Sequence, residues 1–164
     1  MLKILFVCTG NTCRSPMAAS LLQAEIATES LPFAVEAFSA GLDALDGAPA
    51  AEPVIDLLKG RGIGDIESHR AVQLNKNMVV EADLIFVMTI DQLQHLLNLF
   101  PEAEGKTYLL TDYASNGTDK DDIDDPFGCG LKKYQKSLEE IYNCIKKIML
   151  KLKGGYQHEA GPGQ

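Results

Sequence analysis

An almost unbroken apolar run opens the chain: residues 2–8 read LKILFVC, with Lys3 as the single polar residue. A strand with one solvated face alternates apolar and polar residues, so a continuous apolar run is typical of a strand buried on both faces. Such strands occur mainly in parallel sheets that lie between two layers of helices. Residues 2–8 therefore favour an α/β fold.

The rest of the sequence predicts an alternation of strands and helices. Further strands are predicted at 33–39, 83–88 and 106–110, and helices at 50–60, 73–80, 90–99 (with Thr89 as N-cap) and 131–152. Another helix is predicted to follow the first strand, with Ser15 as its N-cap and Pro16 as its first residue. This order predicts a flavodoxin-like fold, in which a central four-stranded parallel sheet carries helices on both faces.

The C-terminal part of the sequence divides into a loop, a helix and a tail. Residues 111–130 contain six aspartates and show no apolar periodicity, which predicts a long loop of the kind that often carries function. In residues 131–152 apolar side chains recur every three or four positions, which is typical of a helix packed on a sheet. We expect one domain over residues 1–153 and a flexible tail over residues 154–164.

Charge and hydropathy exclude several classes of function. The net charge is −8 and the sequence pI about 4.8, so a phosphate backbone would repel the chain and nucleic acid is not an expected partner. No run of about 18 apolar residues occurs, so no membrane association is expected. The N-terminus lacks a cleavable small-residue site, which predicts a cytoplasmic protein. In that compartment the four cysteines are expected to be thiols, and their spacing does not resemble a zinc site.

The segment CTGNTCRSP, from Cys8 to Pro16, is the strongest local signal for chemistry. Cys8 ends the buried strand, and five residues separate it from Arg14, directly before the predicted helix. The amides of a helix N-terminus and of a glycine-containing loop bind anions, and a guanidinium can hold two phosphate oxygens. The same positive potential would stabilise the Cys8 thiolate. The segment therefore predicts a phosphate-binding loop that contains a nucleophile.

This loop and three further motifs resemble the low-molecular-weight protein tyrosine phosphatase family. The motifs are VCTGNTCRSP from Val7, Ser39-Ala40-Gly41, His69 and Asp125-Pro126-Phe127-Gly128, and the resemblance extends from Ile4 to about Leu152. It implies that Cys8 attacks phosphorus while the loop amides and Arg14 bind the phosphoryl oxygens. The phosphate-binding residues that it implies are Thr9, Gly10, Asn11, Thr12, Cys13, Arg14 and Ser15.

The resemblance also implies a supporting hydrogen-bond network that shapes the loop and stabilises the thiolate. Its members are Asn11 and Ser15 within the loop and Ser39 and His69 outside it. A turn serine and an ordinary core or surface histidine are the alternatives for Ser39 and His69.

Redox control of the nucleophile is implied as well. The resemblance suggests a reversible disulfide between Cys8 and Cys13, because a neighbouring thiol can resolve an oxidised nucleophile. The alternative is that Cys13 is a small buried residue. Cys144 is expected in the core, and Cys129 has no predicted role.

Thiolate attack on a phosphate ester or phosphoramidate requires a proton donor for the leaving group. The candidates in the predicted loop are Asp121, Asp122, Asp124 and Asp125, and composition does not distinguish them. Pro126 restricts the backbone of the residue before it, and the resemblance covers this pair, so Asp125 is the expected general acid and base. The spacing of the aspartates excludes a calcium loop. No metal or cofactor is expected, because the loop amides and Arg14 supply the charge stabilisation.

Thr12 and Phe127 bear on which phosphorylated residue is cleaved. Many family members have an aliphatic residue and a tyrosine at these positions, and the pair found here resembles the bacterial protein arginine phosphatases. The Thr12 hydroxyl can accept a hydrogen bond from a guanidinium, which can also stack on Phe127. We therefore expect phosphoarginine in proteins as the substrate, with phosphotyrosine as the alternative; Thr12 could also be a tolerated loop residue. Phosphate or other oxyanions would bind as product or inhibitor, and a monomer is expected.

Two other functions share this fold or loop. A thiol-based arsenate reductase needs two further cysteines to relay a disulfide, and the segment 14–128 contains none. A phosphocarrier or phosphate sensor must retain its phosphate, and a water-activating Asp125 argues against that role. The sequence thus predicts a metal-free, cysteine-dependent protein phosphatase.

Overall fold

Residues 1–156 are described by a computed structural model. Four strands, β1 (Leu2–Cys8), β2 (Val35–Gly41), β3 (Leu84–Val87) and β4 (Thr107–Leu109), form one parallel sheet in the order β2-β1-β3-β4. This is the strand order of flavodoxin-like folds, so the predicted α/β architecture is confirmed. In such a sheet ligands bind outside the carboxyl ends of the strands, where β1 ends at Cys8.

Helices connect the strands and cover the sheet. The α-helices are α1 (Arg14–Thr28), α2 (Glu52–Lys59), α3 (Lys76–Glu81), α4 (Ile90–Leu99), α5 (Leu110–Ala114) and α6 (Leu131–Lys153), with short 3-10 helices at Gly64–Ser68 and Pro101–Ala103. Within residues 1–156, none of these helices is both long enough and apolar enough to cross a membrane.

The apolar run of β1 is explained by two separate cores. Ile4 and Phe6 point to the larger core, which is formed with α1, α2, α5 and α6. Leu5 and Val7 point to the smaller core, which is formed with α3 and α4. Successive side chains of a strand face opposite sides of the sheet, so the residues after the partly exposed Lys3 are apolar on both faces.

The first helix begins earlier than predicted. Helix α1 starts at Arg14 with Cys13 in the N-cap position, so the prediction of Ser15 as N-cap is wrong. The Ser15 hydroxyl lies 2.9 Å from the Cys8 sulfur and 2.8 Å from the Asn11 side-chain nitrogen. It therefore binds the loop side chains, and the cysteine loop passes directly into the helix.

The predicted loop over residues 111–130 is also shorter in the structure. Its first residues belong to α5, whose Leu110 and Ala114 are buried in the larger core. A single helical turn is too short to show a period in the sequence, and tertiary burial determines its conformation. At the other end, Tyr156 packs against the larger core, while residues 157–164 of the predicted tail lie outside the described residues.

Candidate active site

The cysteine loop, residues 8–15, connects the carboxyl end of β1 to α1. The end of β2 lies directly beside it, because Cys8 is in register with Gly41. A Cβ atom at Gly41 would lie 2.6 Å from the carbonyl oxygen of Thr9, closer than real Cβ contacts. Only glycine lets the strand and the loop backbone approach this closely.

Asn11 holds the loop in its curved conformation. Its backbone is left-handed, with a φ of 56°, and the residue is completely buried. Its side-chain nitrogen donates hydrogen bonds to the hydroxyls of Ser15 (2.8 Å) and Ser39 (3.0 Å). Its side-chain oxygen accepts one from the backbone N–H of Val72 (3.0 Å). Asparagine tolerates this backbone region better than most residues, and the three bonds use both amide hydrogens and one lone pair of the amide oxygen.

The His69 side chain forms a hydrogen bond to the backbone of Asn11. Its Nε2 atom lies 2.7 Å from the carbonyl oxygen of Asn11, which can only accept, so Nε2 carries the proton. Burial lowers the pKa of His69 below its ordinary value of 6.5, and the charge of Arg70 acts in the same direction, while the bond to Asn11 partly opposes them. The predicted network members Asn11, Ser15, Ser39 and His69 are thus adjacent in the structure.

The lowered pKa of His69 predicts a pH dependence of stability. A base whose pKa is lowered by folding takes up its proton more readily in the unfolded chain. The contribution of neutral His69 to the free energy of unfolding is therefore complete above about pH 6.5, and it is lost as the pH falls through the pKa of His69 in the folded protein. We expect the wild-type free energy of unfolding to fall in this range more steeply than that of His69→Gln, which keeps an N–H donor but does not titrate. Denaturant unfolding between pH 8 and pH 5 measures both slopes, and equal slopes would contradict the expectation.

The Ser15 hydroxyl lies within hydrogen-bond distance of the Cys8 sulfur. Its oxygen accepts from Asn11 and lies 2.9 Å from the Cys8 sulfur, and its proton has two available acceptors, that sulfur and the Ala40 carbonyl at 3.4 Å. The Ser15 hydroxyl can donate to the Cys8 sulfur whenever that sulfur carries no proton. Cys8 is 2 % exposed, so little water competes for this bond.

The loop backbone provides anion donors. Within residues 1–156, the backbone N–H groups of positions 10–15 donate to no protein acceptor. Consecutive amides around a left-handed residue form a concave group of donors that suits a phosphoryl group. The amides belong to the strand-to-helix connection, so the positive end of α1 adds to their potential.

Arg14 joins this loop to the acidic segment after α5. Its side chain is almost fully buried, and one terminal nitrogen donates to the carbonyl oxygen of Ile123 at 2.9 Å. The other lies 3.6 Å from the Asp125 carboxylate, whose second oxygen accepts from the Phe127 backbone N–H at 3.1 Å. Asp125 is thus the aspartate of this segment that is paired with Arg14, and its side chain is 53 % exposed.

The remaining predicted residues lie around this center. Thr12 is half-buried, with its hydroxyl 3.7 Å from the Cys13 sulfur, and Phe127 is 69 % exposed. The Cys13 sulfur also lies 3.9 Å from the hydroxyl oxygen of Tyr134. Burial raises the pKa of Cys13, and burial with the neighbouring Cys13 raises the pKa of Tyr134 to about 12. All four cysteines are free thiols, so the structure describes the reduced form.

Three contacts of the site were not predicted from the sequence. Ile123 accepts from Arg14 through its backbone, and Val72 donates to Asn11 through its backbone, so neither side chain carries a signal. Gln92 donates to the Thr9 hydroxyl at 3.1 Å. The pattern Thr-x-x-Gln that starts at the predicted cap Thr89 could have indicated that the Gln92 side chain turns back toward the strand end.

A buried cysteine, a loop of inward amides and an arginine at the end of the first strand define a cysteine-dependent phosphatase. The sequence profile described as low molecular weight phosphotyrosine protein phosphatase matches residues 3–158. The chain belongs to this family.

Individual relatives agree with that assignment. The chain is 41 % identical over 150 residues to a protein-arginine-phosphatase from Geobacillus stearothermophilus, covering 92 % of this chain and 95 % of the relative. A low molecular weight protein tyrosine phosphatase from T. tengcongensis superimposes with a TM-score of 0.85 at 37 % identity, covering 93 % of this chain and all of that one. A YwlE arginine phosphatase mutant with a phosphorylated active-site serine gives a TM-score of 0.88 at 29 % identity, covering 96 % of this chain and 100 % of that one.

Proposed function

We propose that the chain is a protein arginine phosphatase in which Cys8 is the nucleophile, Arg14 the phosphate clamp and Asp125 the general acid and base. The observation that carries the proposal is the Cys8 sulfur, 2.9 Å from a serine hydroxyl whose oxygen is already occupied by Asn11. That arrangement offers the sulfur a hydroxyl donor beside a group of amide donors, as phosphoryl transfer to a cysteine requires. The relative named protein-arginine-phosphatase and the YwlE structure with a phosphorylated active-site serine support it.

In the first half-reaction the Cys8 thiolate attacks phosphorus and the bond from phosphorus to the leaving nitrogen breaks. Its electron pair goes to the guanidine nitrogen, which takes a proton from the protonated Asp125 carboxyl. The Arg14 guanidinium and the amides of residues 9–15 hold the charge of the transferring group. The products are unmodified arginine and a phosphocysteine.

In the second half-reaction water attacks the phosphocysteine. The Asp125 carboxylate takes a proton from that water, the sulfur–phosphorus bond breaks toward sulfur, and phosphate leaves with the Cys8 thiolate restored. The sum is hydrolysis with no net change in oxidation state. The charge stabilisation comes from Arg14 and the loop amides, so the proposed mechanism routes no step through a metal or cofactor.

The surrounding network keeps the loop ready for both steps. Asn11 and Ser39 fix the curvature of the loop, Ser15 supplies a hydrogen bond to the nucleophile, and His69 fixes the Asn11 carbonyl. These bonds exist before substrate binds, so little reorganisation is needed during the reaction.

The preference for phosphoarginine rests on Thr12, within the cysteine loop, and on Phe127, two residues after Asp125. A half-buried hydroxyl at position 12 offers a hydrogen-bond acceptor for the substrate guanidinium, and the exposed Phe127 ring can stack on its plane. Phosphotyrosine is the second candidate, supported by the structural similarity to a low molecular weight protein tyrosine phosphatase.

Replacing Thr12 with isoleucine tests this preference. The variant loses the acceptor but keeps a β-branched side chain, so we expect kcat/KM for phosphoarginine peptides, relative to phosphotyrosine peptides, to fall about tenfold. Steady-state kinetics on matched peptides measure the ratio. Thr28→Ile, on the exposed end of α1, is the control. An unchanged ratio in the Thr12 variant would remove the argument for arginine while leaving the phosphatase intact.

Three further properties complete the proposal. Oxidation would join Cys8 and Cys13 in a disulfide and stop turnover reversibly, because both sulfurs belong to one short loop. We also propose a cytoplasmic monomer, consistent with four free thiols. Mass spectrometry after peroxide treatment tests the disulfide, and gel filtration with light scattering tests the monomer.

A further inference from the structure

Gln92 is a buried polar side chain to which the mechanism above gives no role. It lies in the first turn of α4 and is 6 % exposed. Its side-chain oxygen accepts from the backbone N–H groups of Met88 (2.9 Å) and Thr89 (3.2 Å). Its backbone N–H donates to the Thr89 hydroxyl at 3.1 Å, which completes a capping box.

These contacts fix the orientation of the Gln92 amide. The oxygen faces two N–H donors, so the nitrogen faces the Thr9 hydroxyl and donates to it at 3.1 Å. Thr9 is therefore the acceptor in that bond, and its own hydroxyl proton is directed elsewhere. No acceptor among residues 1–156 takes this proton.

Thr9 is exposed and lines a cleft of about 480 Å³ together with Arg14, Asp125 and Gln92. Its hydroxyl proton thus lies at the wall of the cleft that contains the proposed clamp and acid. A neutral donor at this wall suits an anionic phosphoryl group.

Gln92 also belongs to a series of hydrogen bonds that runs from Thr9 to Arg14. Thr9 is bonded to Gln92, and Gln92 to the backbone N–H of Met88. The Met88 carbonyl accepts from Ile123 at 2.9 Å, and the Ile123 carbonyl accepts from Arg14. The path therefore connects Thr9 and Arg14 of the cysteine loop through Met88, which directly follows β3.

We propose that Gln92 is a positioning residue, which fixes the Thr9 hydroxyl as a hydrogen-bond donor to the substrate phosphoryl group and connects the cysteine loop to the acid segment. The inference rests on the proposed phosphatase function and adds to it a neutral donor that is set by a residue outside the loop.

Gln92→Glu tests which partner donates in the hydrogen bond between residue 92 and the Thr9 hydroxyl. A carboxylate keeps the oxygen that caps α4, but its second oxygen accepts the Thr9 proton and withdraws that donor from the cleft. We expect the dissociation constant of inorganic phosphate and the KM for an aryl phosphate to rise about tenfold, with little change in kcat for a good leaving group. The midpoint of thermal unfolding should stay close to that of the wild type.

Thr9→Val removes the same hydroxyl directly and should raise the same two constants. Because both substitutions disable one donor, their combined effect should be smaller than the product of the single effects. Asn75→Ala is the matched control: it removes a side-chain cap from α3, where Asn75 accepts from Met78 at 3.0 Å, without a contact to the loop. It should lower stability and leave phosphate binding unchanged.

Calorimetry with inorganic phosphate separates this inference from the function. If the wild type binds phosphate but does not hydrolyse aryl phosphates, the proposed function fails while the binding comparison still tests Gln92. Three results would each overturn the proposal. The first is wild-type phosphate affinity in Thr9→Val or in folded Gln92→Glu. The second is multiplicative effects in the double variant, and the third is the same loss of binding in Asn75→Ala.

Discussion

Cys8→Ser should lower turnover of an aryl phosphate or a phosphoarginine peptide by on the order of 10⁴-fold or more. A serine hydroxyl is ionised far less readily than a thiol, and the serine oxygen is a poor leaving group when water attacks a phosphoserine in the second step. Phosphate binding should persist, because the loop amides and Arg14 are unchanged. Steady-state kinetics and calorimetry with inorganic phosphate measure the two properties on the same preparation.

Cys144→Ala is the matched control for the loss of a thiol. Cys144 is buried on α6, and burial raises its pKa to about 11, so it remains a neutral thiol at physiological pH. The control should retain the wild-type kcat/KM. If Cys8→Ser kept more than about a tenth of the wild-type activity, a rate that nucleophile loss does not permit, Cys8 would not be the nucleophile.

Asp125→Asn should slow hydrolysis by roughly 10²- to 10⁴-fold, the usual contribution of a positioned acid or base. The loss should be largest for substrates with poor leaving groups, since these need the proton most. A rate series across aryl phosphates of differing phenol acidity measures this as a steeper dependence on the leaving group. With a substrate whose leaving group needs no proton, the first step stays fast, and slower hydrolysis of the phosphocysteine should produce a burst of the first product.

Asp124→Asn provides a comparison within the same segment. Asp124 is exposed, and its backbone carbonyl accepts from Ser137 at 3.2 Å, a contact that the substitution preserves. This variant should keep both the rate and the leaving-group dependence of the wild type. A larger loss in Asp124→Asn than in Asp125→Asn would transfer the acid role to the neighbour.

Those elements that depend on local sequence were predicted well. The bounds of β1 and α4 agree with the prediction, because an apolar run and the Thr89 cap are local signals. The prediction of an N-cap at Ser15 was wrong. A serine before a proline is a typical cap sequence, but the helix begins at Arg14 and the Ser15 hydroxyl contacts Cys8 and Asn11 instead. The short helix α5 was missed since burial, and not periodicity, determines its conformation.

The sequence by itself determined the strand and the loop that carry Cys8 and Arg14, because an apolar run and the spacing of five residues between Cys8 and Arg14 are local features of the chain. Only the tertiary structure decided which distant groups complete the site. Asp125 reaches Arg14, His69 reaches Asn11 and Gln92 reaches Thr9. Parallel strands end at one edge of the sheet, so their following segments meet there although many residues separate them along the chain.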